Sequence, residues 1–301
     1  MPIGAGHQTV TTNATFIPEI WSDEVVATYK ANLVAKPLVK MMNFKGKKGD
    51  SIHIPKPGRG AAAQKAANTQ VTLNTDTSGE VVVNINQHWE YSRVIEDIVN
   101  IQALSSMRRF YTEDAGYALA RKVDSFILEL GRKANGGNGT NAYNAAYSGA
   151  DGTTLYTGTA GALTDAAIRR TIQRLDDQDV PMDGRFLIVP PSTRNTLMGL
   201  ARFTEQSFTG ETGSGNTIRN GKIGDVYGIP VYVTTNADAA TDGDRIALMA
   251  HRDFAVFVEQ LGVRTQTQYK QEYLADLFTA DTLFGAEELR DYSAVALAVP
   301  A

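Results

Sequence analysis

Four histidines, His7, His53, His88 and His251, are the side chains of this sequence best suited to metal ligation or proton transfer. They stand singly. No His-x-His or His-Glu-x-x-His pairing brings two of them to one face, so a zinc or iron site has no support. Glycine clusters at 136–139 and 210–224 have the composition of phosphate loops. A Walker loop needs Gly-Lys followed by Ser or Thr, and Gly221-Lys222 is followed by Ile223. A dinucleotide fingerprint lies between a strand and a helix, which neither cluster does. Gly213-Ser214-Gly215 is too tight for a nucleophile elbow. Asp176, Asp177 and Asp179, with Gln178, crowd the end of a predicted helix, where carboxylates oppose the dipole. The expectation there is a solvated turn, with a cation site as the alternative. Arg108-Arg109 and the lysines Lys45, Lys47 and Lys48 are basic groups too short for a nucleic-acid stripe. No catalytic, cofactor-binding or metal-ligating residue is therefore assigned, and no cofactor is expected. The chain is expected not to be an enzyme.

The totals point the same way. The chain has 301 residues, 43% hydrophobic and 21% charged, enough for one large domain or two ordinary ones. A net charge of −4 argues against a surface devoted to neutralising phosphates. With no cysteine, disulfides, thiolate metal sites and cysteine nucleophiles are excluded. No secretory signal is read at the N-terminus, and no stretch approaches the ~18 apolar residues of a membrane span. A cytosol-like compartment is expected, in which the sequons at Asn13 and Asn138 carry no glycan.

With no convergent chemistry, the elements themselves carry the argument. Residues 105–133 hold apolar side chains at Met107, Tyr111, Ala115, Ala118, Leu119, Val123, Phe126, Ile127 and Leu130, the steps of one helical stripe. Ser105 or Ser106 can cap the start, and Glu129 precedes Lys133 in the favourable order for an ion pair. At 1.5 Å per residue this spine runs roughly 40 Å. Gly116 inside it costs about 1 kcal/mol against Ala.

Residues 1–15 read as a mobile arm, and 16–40 as a short amphipathic helix followed by an extended piece, with Pro37 stopping the helix. Ile52 and Ile54 alternate as in a strand, ended by Pro55, Pro57, Gly58 and Gly60. After a polar, Ala-rich linker, alternation resumes at Val71 and Leu73 and again at Val81, Val83 and Ile85. This is an extended β-arm with too few apolar residues to bury itself. Trp89, Tyr91 and Arg93 alternate in a further strand. Past the spine, 135–161 reads as a loop excursion. Residues 164–179 read as a helix capped by Thr164 with Ala167, Ile168, Ile172 and Leu175 inward, 185–189 as a buried strand, and 193–200 as a helix. Residues 203–222 read as a mobile stretch, and 228–233 and 245–250 as strands. The tail returns to strands at 254–258, 263–269, 276–280 and 294–299. Limbs that cannot pack on their own body suit packing on another copy.

In this order the features resemble the tailed-bacteriophage major capsid proteins, the HK97-like shell family that includes encapsulins. The resemblance rests on FIPEIWS (16–22), KKGDSIHIP (47–55), YALARKVD (117–124), LIVPP (187–191) with GDVYGIPVYV (224–233), and LMAHRDFAV (248–256) with 292–299. Together these span nearly the whole chain. The resemblance implies an α+β fold with a long spine helix and an extended β-hairpin loop. It implies an N-terminal arm at 1–45, the extended loop at 46–86, a peripheral domain at 87–133 and 251–301, and an axial domain at 134–250. The function it implies is structural: pentamers and hexamers of an icosahedral shell enclosing double-stranded DNA, which is contacted non-specifically. Implied partners are further copies of the chain, a separate scaffolding protein and a portal, with no membrane. Localisation would be the virion capsid, assembled in the host cytoplasm. Lys56 and Lys65 lie in the loop where some relatives carry a cross-linking lysine, but no asparagine partner is identified and no cross-link is expected. The alternatives are an encapsulin-like compartment shell, or an α/β hydrolase or transferase with a site in the middle lobe.

Overall fold

The structure, a computed structural model, describes residues 33–58, 60, 62–71, 73, 78–98, 107–133, 143–144, 155–200, 224–240 and 243–301; of 107–110, 133 and 144 it describes the backbone alone. The expectations for the arm at 1–15, the amphipathic helix from Phe16, the Ser105 or Ser106 cap, the Glu129–Lys133 pair, the side chains of Arg108 and Arg109, His7 and the mobile stretch at 203–222 lie outside the described residues. So does most of the excursion at 135–161.

Helix α1 runs Met107–Lys133, 27 residues. The stripe is real: Ala115, Leu119, Val123, Ile127 and Leu130 are buried. Its two halves meet different partners. Ala115 and Leu119 pack on Phe278 and Ala280, with Trp89 and Tyr91 alongside. Val123, Ile127, Leu128 and Leu130 join Phe186, Ile188, Leu248, Phe254, Phe257 and Phe284 in the largest core. One rigid helix thus joins two sheets.

The first sheet has strand order β1-β10-β11-β4: β1 is Lys40–Asn43, β4 Gln87–Glu96, β10 Ala255–Lys270 and β11 Ala275–Glu288. The sequence suggests separate segments at 254–258 and 263–269. They form one 16-residue strand, because register shifts near Leu261 absorb the break in alternation. Strand β1 pairs with β10 only from Val256 to Glu259. Beyond that point, among the described residues, β10 pairs only with β11.

The second sheet has order β5-β12-β9-β6-β8-β7, with β5 Tyr143–Asn144, β6 Arg185–Val189, β7 Asp225–Val226, β8 Ile229–Val233, β9 Arg245–His251 and β12 Ala294–Val299. Helices α2 (Asp165–Asp177) and α3 (Pro191–Met198) belong to this lobe. Thr164 caps α2 as expected, its hydroxyl accepting from the Ala167 N–H at 3.2 Å. Helix α3 starts two residues before the expected Thr193, since Pro191 suits a first helical turn that needs no N–H. All five residues of β6 are buried. The chain's last strand, β12, pairs with β9 throughout, so 294–299 lies in the sheet of the middle lobe, although the sequence groups it with the spine.

The third sheet is the hairpin of β2 (Ser51–Lys56) and β3 (Gly79–Asn84), antiparallel in register from Ser51↔Asn84 to Lys56↔Gly79. Pro55 lies inside β2 and does not break it, as an edge position tolerates a missing N–H. Val71 and Leu73 are not in a strand. Nothing pairs with them among the described residues, and they are exposed.

Candidate assembly surface

The hairpin is half anchored. At its root Val83, Ile85, Ile52 and Ile54 pack on Val256, Val258 and Leu283, the face of the first sheet away from α1. Gly285 makes this possible: a Cβ there would lie 2.3 Å from the Asn84 carbonyl oxygen. Past Lys56 the chain leaves the body. Every described residue from Pro57 to Leu73 is exposed, Leu73 to 82%. The stretch 51–75 has Lys56, Arg59 and Lys65 and no carboxylate. An apolar side chain held in water on a basic, unsupported strap is an arrangement that association with another surface would stabilise.

A second limb is the outer end of the first sheet. From Val263 to Tyr269 every residue of β10 is exposed. At the tip Tyr273, Leu274, Val94 and Ile98 are exposed too. Leu274 has φ +45°, a left-handed conformation unfavourable for a bulky residue, and it directs its side chain outward. Polar ties hold the ribbon's shape. The Tyr269 hydroxyl donates to Asp97 at 2.8 Å, which raises the phenol's pKa. Arg264 grips Asp281 with two bonds of 3.1 and 2.7 Å, and His88 approaches the same carboxylate at 3.3 Å. The guanidinium holds the Asp281 carboxyl below its ordinary value, with His88 helping.

The body that carries these limbs is locked by a buried carboxylate the sequence did not single out. Asp124, 1% exposed in the middle of α1, accepts the N–H groups of Val34 at 3.0 Å and Ala35 at 2.6 Å and the Asn236 amide at 3.0 Å. Three regions meet there: the segment before β1, the spine, and the loop after β8. Asn236 also receives the Ser125 hydroxyl at 3.1 Å. Two turns further along the helix, Arg132 approaches Asp238 at 3.1 Å. Burial pushes the Asp238 carboxyl up, against the pull of that guanidinium. In sequence Asp124 is one polar residue on a helix, and only its packing marks it.

Among the described residues, those with chemical potential lie in separate places. His53 lies 3.0 Å from Glu80 on the hairpin, and His88 belongs to the Asp281 group. His251 accepts the Asp253 N–H at 3.2 Å and caps a short turn. Asp176 pairs at 2.7 Å with Arg185, a guanidinium almost wholly buried that also donates to the carbonyls of Val180 and Pro181. That engagement, not a cation, accounts for a carboxylate at this helix end. Among the described residues no group of three His, Asp or Glu could hold a metal. Lys45 reaches Glu259 at 3.6 Å, and Lys47 lies over the Phe44 ring.

A sequence profile of the phage capsid protein family matches residues 89–296. The chain belongs to that family. Solved structures match it over most of its length. The protein of Mycobacterium phage Che8 is 24% identical with a TM-score of 0.75, covering 94% of this chain and 97% of that one. The capsid structure of cyanophage P-SCSP1u is 17% identical with a TM-score of 0.76, covering 99% and 96%. The capsid of Ralstonia phage GP4 is 15% identical with a TM-score of 0.67, covering 94% and 95%. At these identities the likeness is one of fold, the HK97-like shell fold. No curated protein matches the chain. The subunit is a major capsid protein, its task is to form the shell with further copies of itself, and its place is the virion.

Proposed function

We propose that copies of this subunit form the pentamers and hexamers of an icosahedral shell around double-stranded DNA, without catalysing a reaction. The observation that carries this reading is the hairpin. Its root is buried on its own body, while the described residues between 57 and 73 stand exposed, Val71 and Leu73 among them. Laid across an adjacent copy, the strap buries that surface, and the same contact repeats around each ring. In this reading the first sheet with α1 is the peripheral domain. The residues 134–250 form the axial domain, joined by Ala294–Val299 through the pairing of β12 with β9. The segment 1–45 is the arm and 46–86 the extended loop. Assembly takes place in the host cytoplasm with a separate scaffolding protein and a portal. A subunit with net charge −4 lines the interior without gripping DNA by sequence.

The test is removal of residues 58–75. The expected product is a folded subunit, by circular dichroism and thermal melting, that gives no shells in negative-stain micrographs. Shells at wild-type yield would overturn the proposal. Nucleic acid inside purified particles supports a DNA shell, and protein cargo in its place rejects that part.

A further inference from the structure

Past the packed root, the hairpin lifts from the body and leaves a crevice of about 650 Å³ against the turn at 289–292. Alternation along β2 turns Ile54 and Lys56 toward the crevice, and Glu80 lies on the opposite face, engaged with His53. The lining holds three cations, Lys40, Lys56 and Arg290, and no carboxylate. Between them lie Ile54, Leu289 and the Tyr292 ring. None of the three cations makes an ion pair among the described residues.

The complement lies on the same chain. The turn after α2 exposes Asp177, Asp179 and Asp183 around Met182, itself 76% exposed. Asp177 and Asp183 make no ion pair among the described residues. The turn is held rigid by the Asp176–Arg185 pair and by the Val180 N–H bonded to the Leu175 carbonyl at 3.1 Å. It cannot swing into its own crevice. Asp179 instead faces a small hollow on the other side of Arg290 and Tyr292, which stand as a ridge between turn and crevice. Two complementary patches flanking one ridge match reciprocally when a second copy is turned over a two-fold axis through that ridge.

Resting on the shell reading above, we infer that this crevice receives the 177–183 turn of a second copy, in a two-fold contact that seats both turns at once. Met182 enters between Ile54 and Leu289, and the carboxylates meet Lys40, Lys56 and Arg290. A preformed turn loses little freedom on binding, and the opposed charges set partner and register.

Charge reversal tests it. Lys56→Glu with Arg290→Glu, and separately Asp177→Lys with Asp183→Lys, are each expected to lower shell yield about tenfold or more, with unchanged melting of the free subunit. The four changes together restore assembly, as does mixing the two double variants, because each then offers what the other lacks. A second measurement does not depend on yield. The natural chain has no cysteine, so Lys56→Cys with Met182→Cys gives two symmetry-related disulfides at each contact, expected to link copies in oxidised shells. Wild-type yield from either double variant, or no restoration on combining them, would overturn the contact. So would intact shells without the cross-link, an outcome that leaves the shell reading standing. Failure of the wild-type chain to form shells would sink the shell reading itself.

Discussion

Strands β12 and β3 are each six residues long and rich in valine, AVALAV against GEVVVN. All six residues of β12 are buried, but only Val83 of β3 is. The difference lies in what covers them. Strand β12 sits between β5 and β9 with α1 and α2 close by, whereas β3 has β2 on one side and the first sheet under one end. A region closed over its own core is a finished folding unit. A limb with one anchored end depends on what arrives later, and in a shell that is the next subunit.

The contrast can be broken or sharpened by substitution. Leu297→Ala, fully buried in the second sheet, should destabilise the free subunit by about 3–4 kcal/mol in denaturant melts, and Leu73→Ala by about 0.5 kcal/mol or less. Equal losses would mean that the limb is part of the folded core after all. Asp124→Ala removes the acceptor of two backbone N–H groups and the Asn236 amide and should cost about 3 kcal/mol. It should also speed hydrogen exchange at Val34 and Ala35. Gly285→Ala drives a methyl into the Asn84 carbonyl, at a cost of about 2 kcal/mol. Faster exchange should then appear at Ile52 and Val83 while β9 and β12 stay protected. A uniform loss of protection would deny that the hairpin is a separate limb.

The smallest expected effect is acid sensitivity. A carboxyl lowered in the folded chain contributes stability above its ordinary value of 3.8, and that contribution is lost as pH falls through the lowered folded value. Arg264→Ala removes the main cause. The variant should therefore be less stable than the natural chain near neutrality, with the difference closing below pH 3.8. A difference that stays constant with pH would show that the ribbon does not depend on this pair.

Where local pattern and final contact coincide, the chain was readable in one dimension. The stripe of α1 faces inward because 3.6-residue periodicity gives it a face, Thr164 caps α2 because the cap is local, and 185–189 is apolar enough to be nothing but a core strand. The misreadings fall where alternation is an incomplete signal. Val71 and Leu73 alternate as a strand does, yet among the described residues no strand lies alongside to accept their backbone. The irregular register near Leu261 hides the unity of β10. The acidic cluster after α2 is the solvated turn that was expected, and only the pairing of Asp176 went unforeseen, because Arg185 lies nine residues beyond it and its burial is invisible in composition.

Helices, caps, buried strands and the polarity of the strap follow from side-chain size, branching and spacing, which act between neighbours in the chain. The assignment of β12 to the middle lobe, the anchoring of one end of the hairpin and the triple junction at Asp124 follow from residues 44 or more positions apart meeting in space. Such meetings are settled by the collective closing of the core. No short stretch holds enough apolar surface or enough hydrogen-bonding groups to choose its distant partner alone.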